Sequence, residues 1–459
     1  MNTRRALSSI ILAALLAVPG VTFALAHVEL SAPATALIAG IAILAASFLL
    51  LWACDAAQSD ISPALALAVV AVIAVLPEYA VDMYFTWQAG KFPDSDYSHF
   101  AIANMTGANR LIIGVAWAVI AAIFWFKSRR AVELEPERYL EVRFLAAATV
   151  YAMVIPLKGS LAWYDGIVFM GLYAWYLSIA ARRPPGGCEV EGPAAYICSL
   201  PTVKRRAATV MLFLMAAGAI LANAERFCEG LVGTGKAFGI NEFFLVQWLA
   251  PIASEAPEFV VAIMFALRSR AGLALGSLLS AKLNQWTLLV GMIPAVFALS
   301  LGSFDHPIPM DSLQMHEIML TAAQSLLAVV MLATLRFSMG QALLLFVLFL
   351  AQLLSPTIVP LLPGGTLVGF TAEQMHPLFS ALYLAAAVAM LVDRPTRLVG
   401  LVPRLARKAG EAEREHSNRL FVRAAKALEA PLVDGNVLPE AAQPVAAEQA
   451  SAAESSRLP

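Results

Sequence analysis

Two short stretches of an otherwise apolar chain carry the residues best suited to chemistry. They are Leu76-Pro77-Glu78-Tyr79-Ala80-Val81-Asp82 and Ser254-Glu255-Ala256-Pro257-Glu258-Phe259-Val260. Each sets Pro-Glu near the middle of a long hydrophobic run. Proline lacks a backbone donor and frees a carbonyl one turn back, so Pro77 and Pro257 are predicted to break their helices and offer carbonyl oxygens beside Glu78 and Glu258. Asp82 follows Glu78 by four residues and Glu255 precedes Glu258 by three, spacings that share a helix face. Carboxylates held that close repel one another, and a cation or shared protons relieve the repulsion.

Each Pro-Glu is followed by a second punctuated run. AIANMTGANRLIIG contains Asn104, Asn109 and Arg110, and ALGSLLSAKLNQWTLLVG contains Lys282 and Asn284. A charge at mid-membrane costs roughly 2.5–3.5 kcal/mol on insertion scales, so such residues face an interior and find partners. Glu78, Asp82, Glu255 and Glu258 outnumber Arg110 and Lys282 by two charges, which one divalent ion, two monovalent ions or protons would neutralise. A buried salt-bridge lattice that merely fixes packing is the competing reading. Recurrence at matching places in two halves favours an ion site.

The elements that must position these residues are membrane helices. The chain has 459 residues, 60% hydrophobic and 14% charged, with a mean hydropathy of +0.74. Soluble domains carry about 25% charged residues, so an ordinary soluble enzyme is excluded. Lys and Arg number 31 against 32 Asp and Glu, without the basic excess a nucleic-acid binder needs. Runs long enough to span hydrocarbon fall near 8–26, 32–53, 62–90, 98–126, 143–157, 162–181, 207–225, 239–267, 272–300, 314–335, 338–360 and 374–393. Alternating the loops across the bilayer puts 25 basic residues on one side and four, Lys91, Lys158, Arg226 and Lys236, on the other. That asymmetry predicts an integral plasma (inner) membrane protein with both termini cytoplasmic if residues 1–26 are retained.

The two Pro-Glu pairs lie in helices running opposite ways, which is the mark of inverted repeats with a binding site between them. The expected fold is an all-α polytopic membrane protein of two inverted five-helix repeats, 32–181 and 207–360, joined by a cytoplasmic linker at 182–206. Residues 1–31 are a signal peptide or an extra N-terminal helix, and 361–399 supply an extra C-terminal helix. Residues 400–459 form a cytoplasmic tail, partly disordered or lying as a basic amphipathic helix on the inner leaflet. Cys54, Cys188, Cys198 and Cys228 show no metal-binding or disulfide spacing, and the six histidines form no catalytic motif. Met315-His316-Glu317 reads as an isolated interfacial cluster.

The residues around both acidic stretches resemble the cation/calcium exchanger superfamily, which includes sodium/calcium and calcium/proton exchangers. Its repeats carry Gly-Thr-Ser-x-Pro-Glu followed by Gly-Asn-x-x-Gly-Ser-Asn; LPE with ANMTGAN, and ASEAPE with GSLLSAK, are similar. The resemblance implies a ten-helix core with central ion binding and alternating access. It implies ion-binding roles for Glu78 and Glu258, the metal ligands expected here, and for Asn104 and Asn109. Departures fall at Ala74 and Val75, at Ser254 and Glu255, at Ala108 and Ala281, and at Lys282, where a protonated ammonium offers only donors. These features imply a secondary antiporter exchanging sodium or calcium against protons or each other. Glu78, Asp82, Glu255, Glu258, Asn104, Asn109, Lys282 and Arg110 would bind the cation or couple protons. The alternative is a non-transporting sensor or scaffold whose pathway Arg110 and Lys282 plug. No cofactor beyond the transported cation is expected. Expected partners are membrane lipid and inorganic cations but not nucleic acid, with self-association left open.

Overall fold

Each of the twelve predicted spans contains a helix in a computed structural model of the chain, which describes residues 3–60, 73, 75–182, 192–395 and 397. The tail expected at 400–459 and residues 183–191 of the linker lie outside the described residues. An extra helix, α1 (Thr3–Leu25), precedes the first half, which comprises α2 (Ala32–Ala57), α3 (Leu76–Lys91), α4 (Tyr97–Ser128), α5 (Pro136–Lys158) and α6 (Trp163–Ala180). A short α7 (Gly192–Cys198) leads into the second half: α8 (Thr202–Phe238), α9 (Glu242–Leu267), α10 (Ala271–Leu301), α11 (Ser312–Leu332) and α12 (Met339–Leu361). The extra α13 (Ala372–Asp393) follows. Ten of these helices are long and apolar enough to cross a bilayer. An odd number of helices per half turns the second upside down relative to the first.

Helix ends follow local chemistry. Asn241, Asp311 and Ser338 cap α9, α11 and α12 by accepting from backbone donors in the first turn. Gly239 and Gly302 end α8 and α10 with positive φ, where glycine has no Cβ penalty. α8 is longer than the predicted 207–225 span: its 37 residues absorb Arg226 and Lys236, expected in a loop. Apolar residues resume at Leu231-Val232 and carry the helix on, while the Arg226 guanidinium reaches the Val28 carbonyl at 2.9 Å.

A large apolar cluster ties α4, α5 and α6 to α9, α10, α11, α12 and α13. A separate cluster joins α1, α2, α7 and α8. The loops after α4 and α11 meet in a two-residue antiparallel ladder, Val132 opposite Phe337 and Glu133 opposite Arg336.

Candidate functional site

The two predicted breaks differ. Pro77 lies in the first turn of α3, where its missing donor is harmless, and Glu78 follows in the same turn at the positive end of the helix dipole. Pro257 does not break α9, which runs unbroken from Glu242 to Leu267 through both Pro251 and Pro257, contrary to the sequence expectation. Membrane helices tolerate proline where neighbouring helices cover the freed carbonyls. Around Pro251 that cover is close: a Cβ on Gly107 of α4 would lie 1.9 Å from the Gln247 carbonyl oxygen, the one whose partner Pro251 removes.

α4 and α10 each carry one π-helical stretch, Ile112–Ala116 and Gln285–Leu289. Wide turns of this kind re-aim side chains and recur at functional sites. Gln285 opens the second stretch and its amide reaches both halves, donating to Glu78 Oε2 at 2.7 Å and to Glu255 Oε1 at 3.1 Å. Glu78 and Glu255 are 1% and 2% exposed. Asn104 donates to Asp82 Oδ1 at 2.7 Å, and the Tyr79 hydroxyl donates to Asn284 Oδ1 at 2.5 Å.

Five of these residues keep an unpartnered oxygen. Glu78 Oε1, Asp82 Oδ2, Asn104 Oδ1, Glu255 Oε2 and Gln285 Oε1 are buried without a hydrogen-bond partner. Leaving a buried acceptor unpaired costs about 1–3 kcal/mol each, more for a charge, so five together mark a place for protons, water or a cation. No three His, Cys, Asp or Glu among the described residues already stand in metal-holding geometry.

The two central asparagines behave differently. Asn104 keeps its carbonyl free, whereas Asn109 accepts from Lys282 at 2.7 Å through Oδ1 and at 3.3 Å through its backbone oxygen. The Lys282 ammonium also lies 4.4 Å from the Trp286 ring. Glu258 lines a cavity of about 190 Å³ with Ser277, Ser280, Asn284 and Tyr176. Glu255 is the residue that Gln285 joins to Glu78, because an unbroken α9 turns residue 255 inward. Glu258 remains within electrostatic reach of Glu78.

Arg110 is drawn away from this centre. It is ion-paired with Glu317 of α11, stacks 5.0 Å from Trp248, and has His376 of α13 on the far side of Glu317 at 3.4 Å. Sequence reasoning placed Glu317 at a membrane edge, yet it is 1% exposed. Arg110 therefore neutralises Glu317, and Lys282 is the cation left within electrostatic reach of Glu255 and Glu78. Gln285 and Tyr79 were missed, although the amide of Gln285 next to Asn284 inside an apolar run was a signal.

Comparison with known proteins agrees with this architecture. The family model for sodium/calcium exchanger protein matches residues 31–182 and 208–357. The crystal structure of an H+/Ca2+ exchanger superposes with a TM-score of 0.81 at 39% identity, covering 88% of this chain and 99% of that one. A sodium-calcium exchanger structure gives a TM-score of 0.48 at 18% identity, covering 71% and 98%. No curated protein sequence matches the chain.

Proposed function

The chain belongs to the sodium/calcium exchanger family, and we propose that it exchanges calcium for protons across the membrane, using Glu78 and Glu255 as the shared site. Family membership makes it an integral membrane cation/calcium antiporter and not an enzyme. The single observation that carries the finer reading is the Gln285 bridge, which holds one carboxylate from each half while leaving Glu78 Oε1 and Glu255 Oε2 unpartnered.

Two carboxylates balance either one calcium ion or two protons, so the same pair serves both cargoes in turn. Calcium takes six to eight oxygens. The five free oxygens around Glu78, Asp82, Asn104, Glu255 and Gln285 supply most of that shell once they converge, and water supplies the rest. Lys282, tethered to Asn109, is a fixed counter-charge that favours loss of excess cations. Glu258 and its cavity form the approach from one side. Proton coupling is further supported by the 39% identity to a structure described as an H+/Ca2+ exchanger. Neither Arg110 nor Lys282 occupies the carboxylate pair, so the geometry does not support a plugged pathway. The basic bias of the loops supports cytoplasmic termini in a plasma (inner) membrane.

The test is reconstitution into liposomes with a pH-sensitive dye inside, varying calcium and sodium separately. External calcium should alkalinise the interior, sodium alone should not, and Glu78→Gln should reduce the signal to that of empty vesicles. A sodium-driven signal of equal size, or full calcium exchange by Glu78→Gln, would overturn the proposal.

A further inference from the structure

Away from the central carboxylates, a second junction joins the two halves. Glu229 of α8 accepts hydrogen bonds on one oxygen, Oε1, from the Tyr84 hydroxyl of α3 at 2.7 Å and the Tyr97 hydroxyl of α4 at 2.6 Å. Gln88 supports Tyr84 from one turn along α3, at 3.0 Å. Tyr97 is the first residue of α4, and Asn104 lies seven residues deeper, about 10 Å along the helix at 1.5 Å per residue. The intervening space is filled by rings: Phe85 lies 5.6 Å from Phe100 and 6.4 Å from Tyr97. Tyr97 in turn meets Tyr84 edge-on at 6.5 Å. Beyond them the 92–96 turn presents Asp94 and Asp96 in exposed positions.

This junction sits over the Asp82 and Asn104 pair on the face bearing that acidic turn. The cavity lined by Glu258 approaches the centre from the other end of α9. Hydrogen bonds to an ionised acceptor are the strong ones, and here two phenols depend on one carboxylate oxygen. A calcium ion drawn to this carboxylate withdraws charge from the oxygen that holds both phenols and so weakens both bonds. Building on the proposed exchange of calcium, we infer that Glu229 is the gate residue on the 92–96 face: it locks α8 to α3 and α4 through Tyr84 and Tyr97, and frees them when it engages an entering calcium ion.

Cys228, the neighbour of Glu229, is a native reporter. It is fully buried, with Sγ 3.9 Å from the Val81 carbonyl oxygen on α3, so it becomes reachable only when α8 and α3 part. The experiment uses the full chain in liposomes with Cys54, Cys188 and Cys198 replaced by serine. A membrane-impermeant maleimide is added on the 92–96 face. Tyr84→Phe combined with Tyr97→Phe should speed Cys228 labelling about tenfold or more, since each lost bond to a charged group is worth at least that factor. Calcium added on that face should also speed labelling of the parent. Glu229→Gln provides a second test, because its amide can still meet both tyrosines: KM for calcium entering from that face should rise about tenfold while kcat holds within about twofold. Labelling of the tyrosine variant at the parent rate, or an unchanged KM in Glu229→Gln, would overturn the assignment. Failure of the exchange reading looks different: the parent would show no calcium-coupled proton flux, and the labelling contrast would remain measurable.

Discussion

The two halves of the molecule repeat one design and then depart from it at the site. Asn109 and Lys282 are 173 residues apart, hold matching places just before the π-helical stretches of α4 and α10, and bond to each other. By the same offset Arg110 corresponds to Leu283 and Gly107 to Ser280. The first half therefore contributes an oxygen where the second contributes an ammonium, and a proline in the first turn of α3 where the second carries its proline inside an unbroken α9. The difference teaches that inverted repeats supply the scaffold of a shared site, while unequal residues at equivalent positions decide its charge.

Exchanging residues between halves breaks or sharpens that comparison. The largest effect is expected from Arg110→Leu, which copies the second half and leaves Glu317 buried without its partner. Removing one member of a buried ion pair costs about 3–5 kcal/mol, so thermal unfolding in detergent should show a large loss, with Glu317→Gln added on top restoring part of it. Gly107→Ser, copying Ser280, forces α4 away from the Gln247 carbonyl. Overpacking of this kind costs about 1–3 kcal/mol, and the same melts should show a smaller loss.

Lys282→Asn would make the site symmetric. Two unit charges several ångströms apart interact by roughly 1–4 kcal/mol between water-like and protein-like dielectrics, so loss of the ammonium should lower KM for calcium about tenfold. Flux assays over a calcium series measure it, and an unchanged KM would show that Lys282 does not act on the cargo.

The smallest effect belongs to the ends of the equivalent helices α2 and α8. Asp60, just past α2, accepts from Arg205 at 2.7 Å on each oxygen and from Arg206 at 3.0 Å. The Arg205 hydrogen bonds, with those of Arg206, hold the Asp60 carboxyl well below the usual carboxylate range. A depressed value gives stability that is present above the ordinary value near ~3.9 and is lost as pH falls toward the folded-state value. Asp60→Asn should therefore lower the melting temperature slightly and equally at pH 5 and pH 8, because ion pairs that water still reaches contribute little. A difference that disappeared between those two pH values would contradict the pairing.

The sequence disclosed the helices because hydrocarbon demands long apolar runs, and it disclosed Glu78, Asp82, Glu255, Asn104 and Lys282 because polar groups inside such runs stand out. Which acidic residue of the second half shares an amide with Glu78 was not legible. Helical phase decides that choice, and the phase turns on whether Pro257 breaks α9, which depends on how neighbouring helices cover the freed carbonyls. The partner of Arg110 was hidden for a different reason. Glu317 lies at the start of its span, where a glutamate ordinarily meets water, and only tertiary packing brings α4, α11 and α13 together around it. Gln285 was hidden because an uncharged amide gives no charge signal.

The most direct test compares Glu255→Gln with Glu258→Gln in liposomes reporting calcium uptake and internal pH together. The account predicts that Glu255→Gln abolishes both signals, and that Glu258→Gln retains coupled exchange with a raised KM for calcium. Coupled exchange surviving in Glu255→Gln and vanishing in Glu258→Gln would contradict it.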